Sequence, residues 1–486
     1  MTPPRVAVIG GGIAGLAAAW SLVEAGADVT VFDPGPLGGK LRTTDFCGLA
    51  IDEGADAFIA RVPHAVELCR SLGLGDELVA PSADRAMLWA GGRLRPLPDG
   101  LVLGVPTRLR PLVGSGLVSP PGVLRAGLDL VLPAARWRGD LSVAALVSRR
   151  LGGEVARRLV DPLVGGIHAG RTEELSAEAA APQLAGAARS SRSLMRGLRP
   201  SAAAEGGDPL FLAVRGGMGR LVERLVAALG GRGVTFEAHG VSQVGRAGGG
   251  EVLVTAPGAR ASAGSAGAAA FDAAVVAVAA PAAAELVAAA SPPAAARLRE
   301  IEAASVVVVT MAYPQAALTG LARWPGYSGF LVPRREGRLM TACSVGSAKW
   351  PQWSIPDHAI LRVSAGRAGD DRAMALDDPD LVARLSDEVT DSLGATAPPT
   401  AVRISRWPDG FPQYRVGHFD RVAAIEAGLA ADLPGVALAG SSYRGVGIPA
   451  CIASGAAAAS AAMAHARRSE RPEARPEPRG TGRGNG

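Results

Sequence analysis

Gly10, Gly12 and Gly15 are spaced G-x-G-x-x-G between the apolar run VAVI, which starts at Val6, and the alanine-rich run after Ile13. After a strand and at the start of a helix, such glycines permit a tight turn, let backbone approach a pyrophosphate and allow close contact between helix and sheet. The helix start also offers amide donors and a partial positive charge to an anion. Asp33 closes the following strand, 18 residues beyond Gly15, where a carboxylate accepts hydrogen bonds from a ribose. A basic residue there would have suited a 2′-phosphate. NAD and FAD both satisfy these residues. Gly38, Gly39, Lys40 and Arg42 then form a glycine-basic cluster directly behind Asp33, suited to an extended diphosphate, and FAD has the greater length to hold. A second glycine-rich strand-to-helix junction, LAGSSYRGVGIPACIASG at 438–455, lies near the other end of the chain. Both junctions are expected to grip one cofactor.

At 486 residues the chain exceeds what one hydrophobic core supports, so two or three lobes are expected, with room to bury a large cofactor. Residues 6–33 read as strand, tight turn, helix and strand. A second αβ pattern lies at 216–244, followed by a β-rich stretch and DAAVVAVAAP at 272–281, and a third lies at 435–464. Long insertions separate them: 85–210 mixes proline-bounded loops with helical segments such as 120–137, and 300–400 carries strand runs such as SVVVVTMAY. A discontinuous nucleotide-binding domain over 1–84, 211–299 and 400–466 is therefore expected. A substrate-binding domain over 85–107 and 300–399 accompanies it, with a helical insertion over 108–210 covering the substrate slot. Residues 467–486, rich in Arg, Pro, Glu and Gly, cannot order themselves by burial and are expected to be a disordered tail. Cys47, Cys69, Cys343 and Cys451 show no C-x-x-C pairing, which argues against a metal site or a disulfide framework. The formal charge of +5 comes with no aromatic-and-basic constellation for nucleic acid. The apolar stretch 273–296 is broken by Pro281, Pro292 and Pro293, and the start of the chain lacks a basic lead segment and a small-residue cleavage site. A cytoplasmic protein is expected.

The cluster after Asp33 and the junction at 438–455 are similar to the GG motif and the C-terminal flavin-binding motif of the flavin amine oxidase superfamily. Further blocks resemble, in order, the porphyrinogen oxidases of haem synthesis. They are DEGADAFIARVPHAVELCRSLGL (52–74), GRLRPLPDGLVLGVPT (92–107), LGGEVARRLVDPLVGGIHAGRTEELSAEAAAPQL (151–184), GFLVPRREGRLMTACSVGSAKWP (329–351), RWPDGFPQYRVGH (406–418) and SYRGVGIPACIASG (442–455). The resemblance covers the chain to about residue 465. It implies an α/β fold: a discontinuous Rossmann-like FAD-binding domain with an α+β substrate domain and a helical insertion. Carried over residue by residue, it places Gly10, Gly11, Gly12, Ile13, Ala14 and Gly15 at the diphosphate of FAD, Asp33 at the ribose, and Gly39 and Lys40 beside the diphosphate. The turn Gly54, Ala55, Asp56, Ala57 falls near the flavin, and Val241 contacts the adenine from its strand. Trp407, Val446, Gly447 and Ile448 fall near the ring, where a helix start stabilises the negative charge of reduced flavin.

The function so implied is aromatisation of a porphyrinogen. Hydride leaves a methylene-bridge carbon for flavin N5, protons leave nitrogen, and dioxygen reoxidises the flavin with release of hydrogen peroxide. Propionate arms on the substrate call for cations, and Arg61, Arg93, Arg95 and Lys349 fall within the substrate-lobe motifs. Gly166, Ile167 and His168 resemble the family stretch that lines the slot, with His168 as lining and no residue assigned as a base. The arginine-heavy usage of a GC-rich genome, joined to the resemblance, directs the choice to coproporphyrinogen III, with protoporphyrinogen IX as the alternative. Other readings are an amine oxidase or a carotenoid desaturase of the same superfamily, and a non-catalytic porphyrin carrier that keeps FAD. The expected partners are the porphyrinogen and dioxygen. Peripheral contact of the insertion with an anionic membrane face and transient product transfer to a chelatase are compatible with this reading, although a helix covering the slot is the favoured role for 120–137.

Overall fold

The computed structural model describes residues 2–133, 138–199, 209–248, 250–256 and 267–469. The run RVAVI forms strand β1 (Arg5–Ile9), buried on both faces after its first residue, as suits a central strand of a parallel sheet. Helix α1 (Ile13–Glu24) follows, its alanines buried, and then β2 (Asp28–Phe32). The sheet runs in the order Thr235–Glu237, β2, β1, Ala273–Val276, Val436–Leu438, with every pairing parallel. Segments distant in sequence thus share one sheet. The C-terminal helix Ile448–Ser469 lies along α1, and the small side chains on both helices permit a close approach: Gly455 sits directly over the backbone of Ala14.

A second sheet has seven strands in the order Ala401–Pro412, Ala303–Pro314, His358–Ala365, Met340–Val345, Tyr327–Leu331, Arg85–Trp89, Leu94–Pro96. All pairings are antiparallel except that of Tyr327–Leu331 with Arg85–Trp89. Alternation along SVVVVTMAY sends Val307, Val309 and Met311 into one core with Leu381, Leu385 and Val389 of the helix Asp378–Leu393. Val306 and Val308 face the other side, toward the first sheet and its cofactor turn. The strand Ala401–Pro412 corrects the expected division at residue 400: it pairs along Ala303–Pro314 and so belongs to the second sheet, because a strand this long finds its backbone partners only there.

The helical lobe is built on a buried ion pair. Arg150 Nε donates to Asp129 at 2.6 Å, and Asp129 also accepts from the Ser193 hydroxyl and the Met195 amide. The helix expected over 120–137 is shorter, Pro120–Gly127 with a tight turn at Leu128–Leu130, and Trp137 lies outside the described residues. It does not cover the slot. Leu124 and Val131 point outward, 74% and 70% exposed, and the segment 161–170 forms the roof instead. Residues 467–469, expected in a disordered tail, instead belong to the C-terminal helix, with Arg467 donating to the Ala25 carbonyl; residues 470–486 lie outside the described residues.

Candidate active site

One cavity of about 590 Å³ runs from the Gly10 turn, between the two sheets, to the roof of the helical lobe. At its first end the chain reverses at Gly10, whose φ of +107° is open to glycine, while Gly15 lets α1 sit directly on the Gly10 carbonyl. The N-terminus of α1 carries no side-chain cap, and a Cβ on Gly12 would meet no protein atom within 4 Å. Free amides and open space therefore face the cavity together, as a diphosphate requires. Asp33 closes this end. Its carboxylate accepts from the amides of Gly11 at 2.6 Å and Gly35 at 2.8 Å, which fixes it with lone pairs left for hydroxyl donors.

At the middle of the cavity stand Val446, Ile448 and Cys451 from the second glycine junction, opposite Lys40, Gly54, Ala55 and Trp407. The PQYRVGH block has a structural task here. Tyr414 Oη accepts from the Gly445 amide at 2.8 Å and donates to the Ser441 carbonyl, and the Tyr414 ring stacks on His418 with centroids 4.1 Å apart. His418 Nε2 in turn bonds the Tyr443 carbonyl at 2.8 Å, and burial holds its imidazole down at about 4, so the ring is neutral. Two segments that look independent in sequence thus form one brace behind the turn at 446–448. Trp407 is oriented by its Nε1 donating to the Glu53 carbonyl at 3.3 Å, and the Arg42 guanidinium covers its ring.

The far end is a slot between apolar walls, Val306, Val308, Leu331 and Val332 against Pro162 and Gly166, with Arg334, Arg362 and Arg367 at its polar margin. The cavity therefore joins a glycine-turn end, fitted to a dinucleotide, to an end with apolar walls and an arginine margin.

Residues 13–463 match the family profile described as flavin containing amine oxidoreductase. The chain belongs to that family. Its cofactor is FAD, which the uncapped α1 terminus, the open face of Gly12 and Asp33 fit. Among the relatives, a coproporphyrinogen III oxidase of Mycobacterium tuberculosis (strain ATCC 25618 / H37Rv) is 36% identical over 459 residues, covering 93% of this chain and 96% of the relative. A coproporphyrinogen III oxidase of Bacillus subtilis (strain 168) is 31% identical over 481 residues, covering 93% and 97%. A solved structure from Exiguobacterium sp. 255-15, provisionally assigned as a protoporphyrinogen oxidase, superposes with a TM-score of 0.82 at 30% identity, covering 95% of this chain and 98% of that one. Within the flavin-containing family the chain falls in the coproporphyrinogen III and protoporphyrinogen oxidase branch.

In this flavoprotein Gly10, Gly12, Ile13, Ala14, Asp33, Gly39, Lys40, Gly54, Ala55, Trp407, Val446, Ile448 and Gly166 all border the cavity. Gly11, Gly15 and Gly447 stand just behind it and act through the backbone. Lys40 does not project freely along a diphosphate: its ammonium donates to the Gly410 carbonyl, and burial lowers its affinity for the proton. Arg42 is turned aside by Glu53, with Nε donating at 2.8 Å. Asp56 and Ala57 are displaced from the cavity wall. The Asp56 carboxylate is partly buried, with Lys349 Nζ at 3.0 Å, Arg362 at 3.2 Å and the Trp350 indole at 3.0 Å. Burial alone would raise it, but the two cations and the indole hold it at about 2. Lys349 is consequently engaged as an ion-pair partner of Asp56 and does not border the cavity. Val241 lies in the loop before the strand Gln243–Arg246, packed on neighbouring apolar residues outside the cavity.

The expected substrate contacts need further correction. Arg61 is on an exposed turn, Arg93 is exposed, and Arg95 borders a separate shallow pocket with Gly116 and Arg158, since its strand lies at the outer edge of the second sheet. Ile167 points to solvent at 51% exposure. His168 is buried in the opposite direction, its Nε2 bonding the Ala180 carbonyl at 2.9 Å; burial lowers its proton affinity, so it is neutral. Sequence reasoning missed Arg334, Arg362 and Arg367. Arg362 and Ser364 could have been found as polar residues at alternate positions of LRVSA, whose intervening Leu361 and Val363 are core.

Proposed function

We propose that this flavoprotein aromatises coproporphyrinogen III to coproporphyrin III, using dioxygen as the electron acceptor and releasing hydrogen peroxide. The observation that carries this reading is the continuity of the cavity: the Gly10 turn, the second glycine junction at Val446 and Ile448, and the apolar walls Val306, Val308, Leu331 and Pro162 all line one space. FAD when bound supplies a hydride acceptor at N5 that dioxygen reoxidises. The chain supplies position. Val306, Val308, Leu331 and Pro162 sandwich the macrocycle so that a bridge carbon faces the junction, which raises the effective concentration of the reacting atoms. His168 is turned away from the cavity, Asp161 at the roof is held through one carboxylate oxygen by Thr172 at 2.8 Å, and positioning suffices for hydride loss from an electron-rich bridge carbon. Relatives at 31% and 36% identity that bear the name coproporphyrinogen III oxidase support the choice of substrate. The outward Leu124 and Val131 support peripheral membrane contact, which sedimentation with anionic vesicles tests.

The purified protein loaded with FAD should convert coproporphyrinogen III to fluorescent porphyrin over many turnovers in air, with stoichiometric peroxide, and should act more slowly on protoporphyrinogen IX. Porphyrin binding at one equivalent without peroxide would instead identify a carrier. Turnover of an amine or of phytoene without porphyrinogen turnover would move the protein to another branch.

A further inference from the structure

The slot is bordered by two guanidinium groups that form no ion pair among the described residues. Arg367 borders the cavity and is only 9% exposed, yet its Nε has no hydrogen-bond partner. Arg334 borders the same stretch, oriented by a bond from its guanidinium to the Ala368 carbonyl at 3.1 Å. Burial, and then the charge of Arg334, lowers the proton affinity of Arg367; burial and the charge of Arg171 act on Arg334 in the same way. Asp161 and Asp370 favour the charged form of both arginines, and Glu173 that of Arg334, but none of them forms an ion pair with either guanidinium. Asp161 accepts from Thr172, and Asp370 is held by two bonds of 2.8 Å from Arg372. Among the described residues, neither Arg334 nor Arg367 has an ion-pair partner.

Burying an unpaired guanidinium is costly, and two together are more so, unless an anion arrives to share them. Adjacent planar forks match a carboxylate with parallel bonds, and the apolar walls beside them suit a ligand whose body is flat and whose arms end in charge. We infer that Arg334 and Arg367 form a clamp for one carboxylate arm of the substrate, the role that Arg61, Arg95 and Lys349 do not fill. This inference rests on the porphyrinogen reading proposed above and identifies which residues would select the acid-bearing macrocycle.

The test titrates the FAD-loaded protein with coproporphyrin III and with its tetramethyl ester, which keeps the ring but removes the negative charge, following porphyrin fluorescence. The unaltered protein should bind the acid more tightly than the ester. Arg367→Gln and Arg334→Gln should each weaken acid binding by about tenfold to a hundredfold and leave ester binding unchanged. Arg367→Lys, which keeps the charge and loses the fork, should fall between. Arg334 is only half-buried, so Arg334→Gln keeps the test available if Arg367→Gln does not fold. Variants that bind the acid as tightly as the unaltered protein, or that lose acid and ester equally, overturn the clamp alone. An unaltered protein that binds neither porphyrin overturns the porphyrinogen reading and the clamp with it.

Discussion

Replacing Gly455 by alanine tests whether the two glycine junctions act as one cofactor holder. A Cβ at this position would stand 2.2 Å from the carbonyl oxygen of Ala14 and 2.9 Å from the amide nitrogen of Ala18, both in the backbone of α1. Ordinary contact begins at 3.4 Å, so the two helices must separate by about 1.2 Å. No flexible side-chain end is present to swing away. Forcing a methyl group into such a contact costs about 1–3 kcal/mol, on the order of a few degrees in Tm. The same movement carries the turn at 446–448, which leads into the C-terminal helix, away from the Gly10 turn at the start of α1. Losing one or two hydrogen bonds of about 1 kcal/mol each should weaken FAD by about tenfold. The assay is flavin content after dialysis together with thermal melting, with and without added FAD. Gly186→Ala is the control: Gly186 is exposed inside the helix Pro182–Ser190, and a methyl group added there would meet no atom within 4 Å, so alanine should leave FAD affinity alone and raise stability by up to about 1 kcal/mol. A Gly455→Ala protein with full flavin content and unaltered melting would refute the coupling of the two helices.

Asp33→Ala should weaken FAD by about tenfold, since it removes a ribose acceptor and frees the Gly11 and Gly35 amides from their restraint; equilibrium dialysis of FAD checks it. Asp52 gives a pH signature. Burial raises its carboxyl from 3.8 to about 6 despite bonds from Thr43 and Met218. Between those values the folded chain binds more protons than the unfolded chain, so this group destabilises the fold progressively as pH rises through the window. Asp52→Asn should therefore gain melting temperature relative to the unaltered protein from about pH 4 to about pH 6 and keep the gain above it; a difference that does not vary with pH contradicts the assignment. Lys349→Met should lower stability by about 2 kcal/mol, less than the usual loss for a broken buried pair because Arg362 remains on Asp56. KM for the porphyrinogen should not change, whereas a raised KM with unaltered melting would restore Lys349 to the substrate site.

The dinucleotide compartment is legible in the sequence because its determinants are local. Gly10, Gly12 and Asp33 sit within one strand-helix-strand unit, and spacing along the chain translates directly into distance across the turn. The partnership of the two chain ends is legible only through the resemblance, since no local rule brings residue 455 onto residue 14. The substrate side reads poorly for an identifiable reason. A basic residue inside a motif need not point into the slot: pairing of Leu94–Pro96 at the sheet edge carries Arg95 outward, and the local turn carries the His168 ring toward Ala180. Lys349 is held by a carboxylate 293 residues earlier in the chain, a contact no spacing rule contains. Arg334 and Arg367 become visible once the strands around them are placed.

The central claim, that one cavity brings a porphyrinogen bridge carbon against the flavin, is tested most directly by a single turnover without dioxygen. Coproporphyrinogen III mixed anaerobically with the FAD-loaded protein should bleach the visible absorbance of the bound flavin as porphyrin products begin to accumulate, and admitting air should restore the colour with release of peroxide. A protein that keeps its FAD fully oxidised in the presence of excess porphyrinogen would contradict the claim, whatever the similarity of its fold to other oxidases.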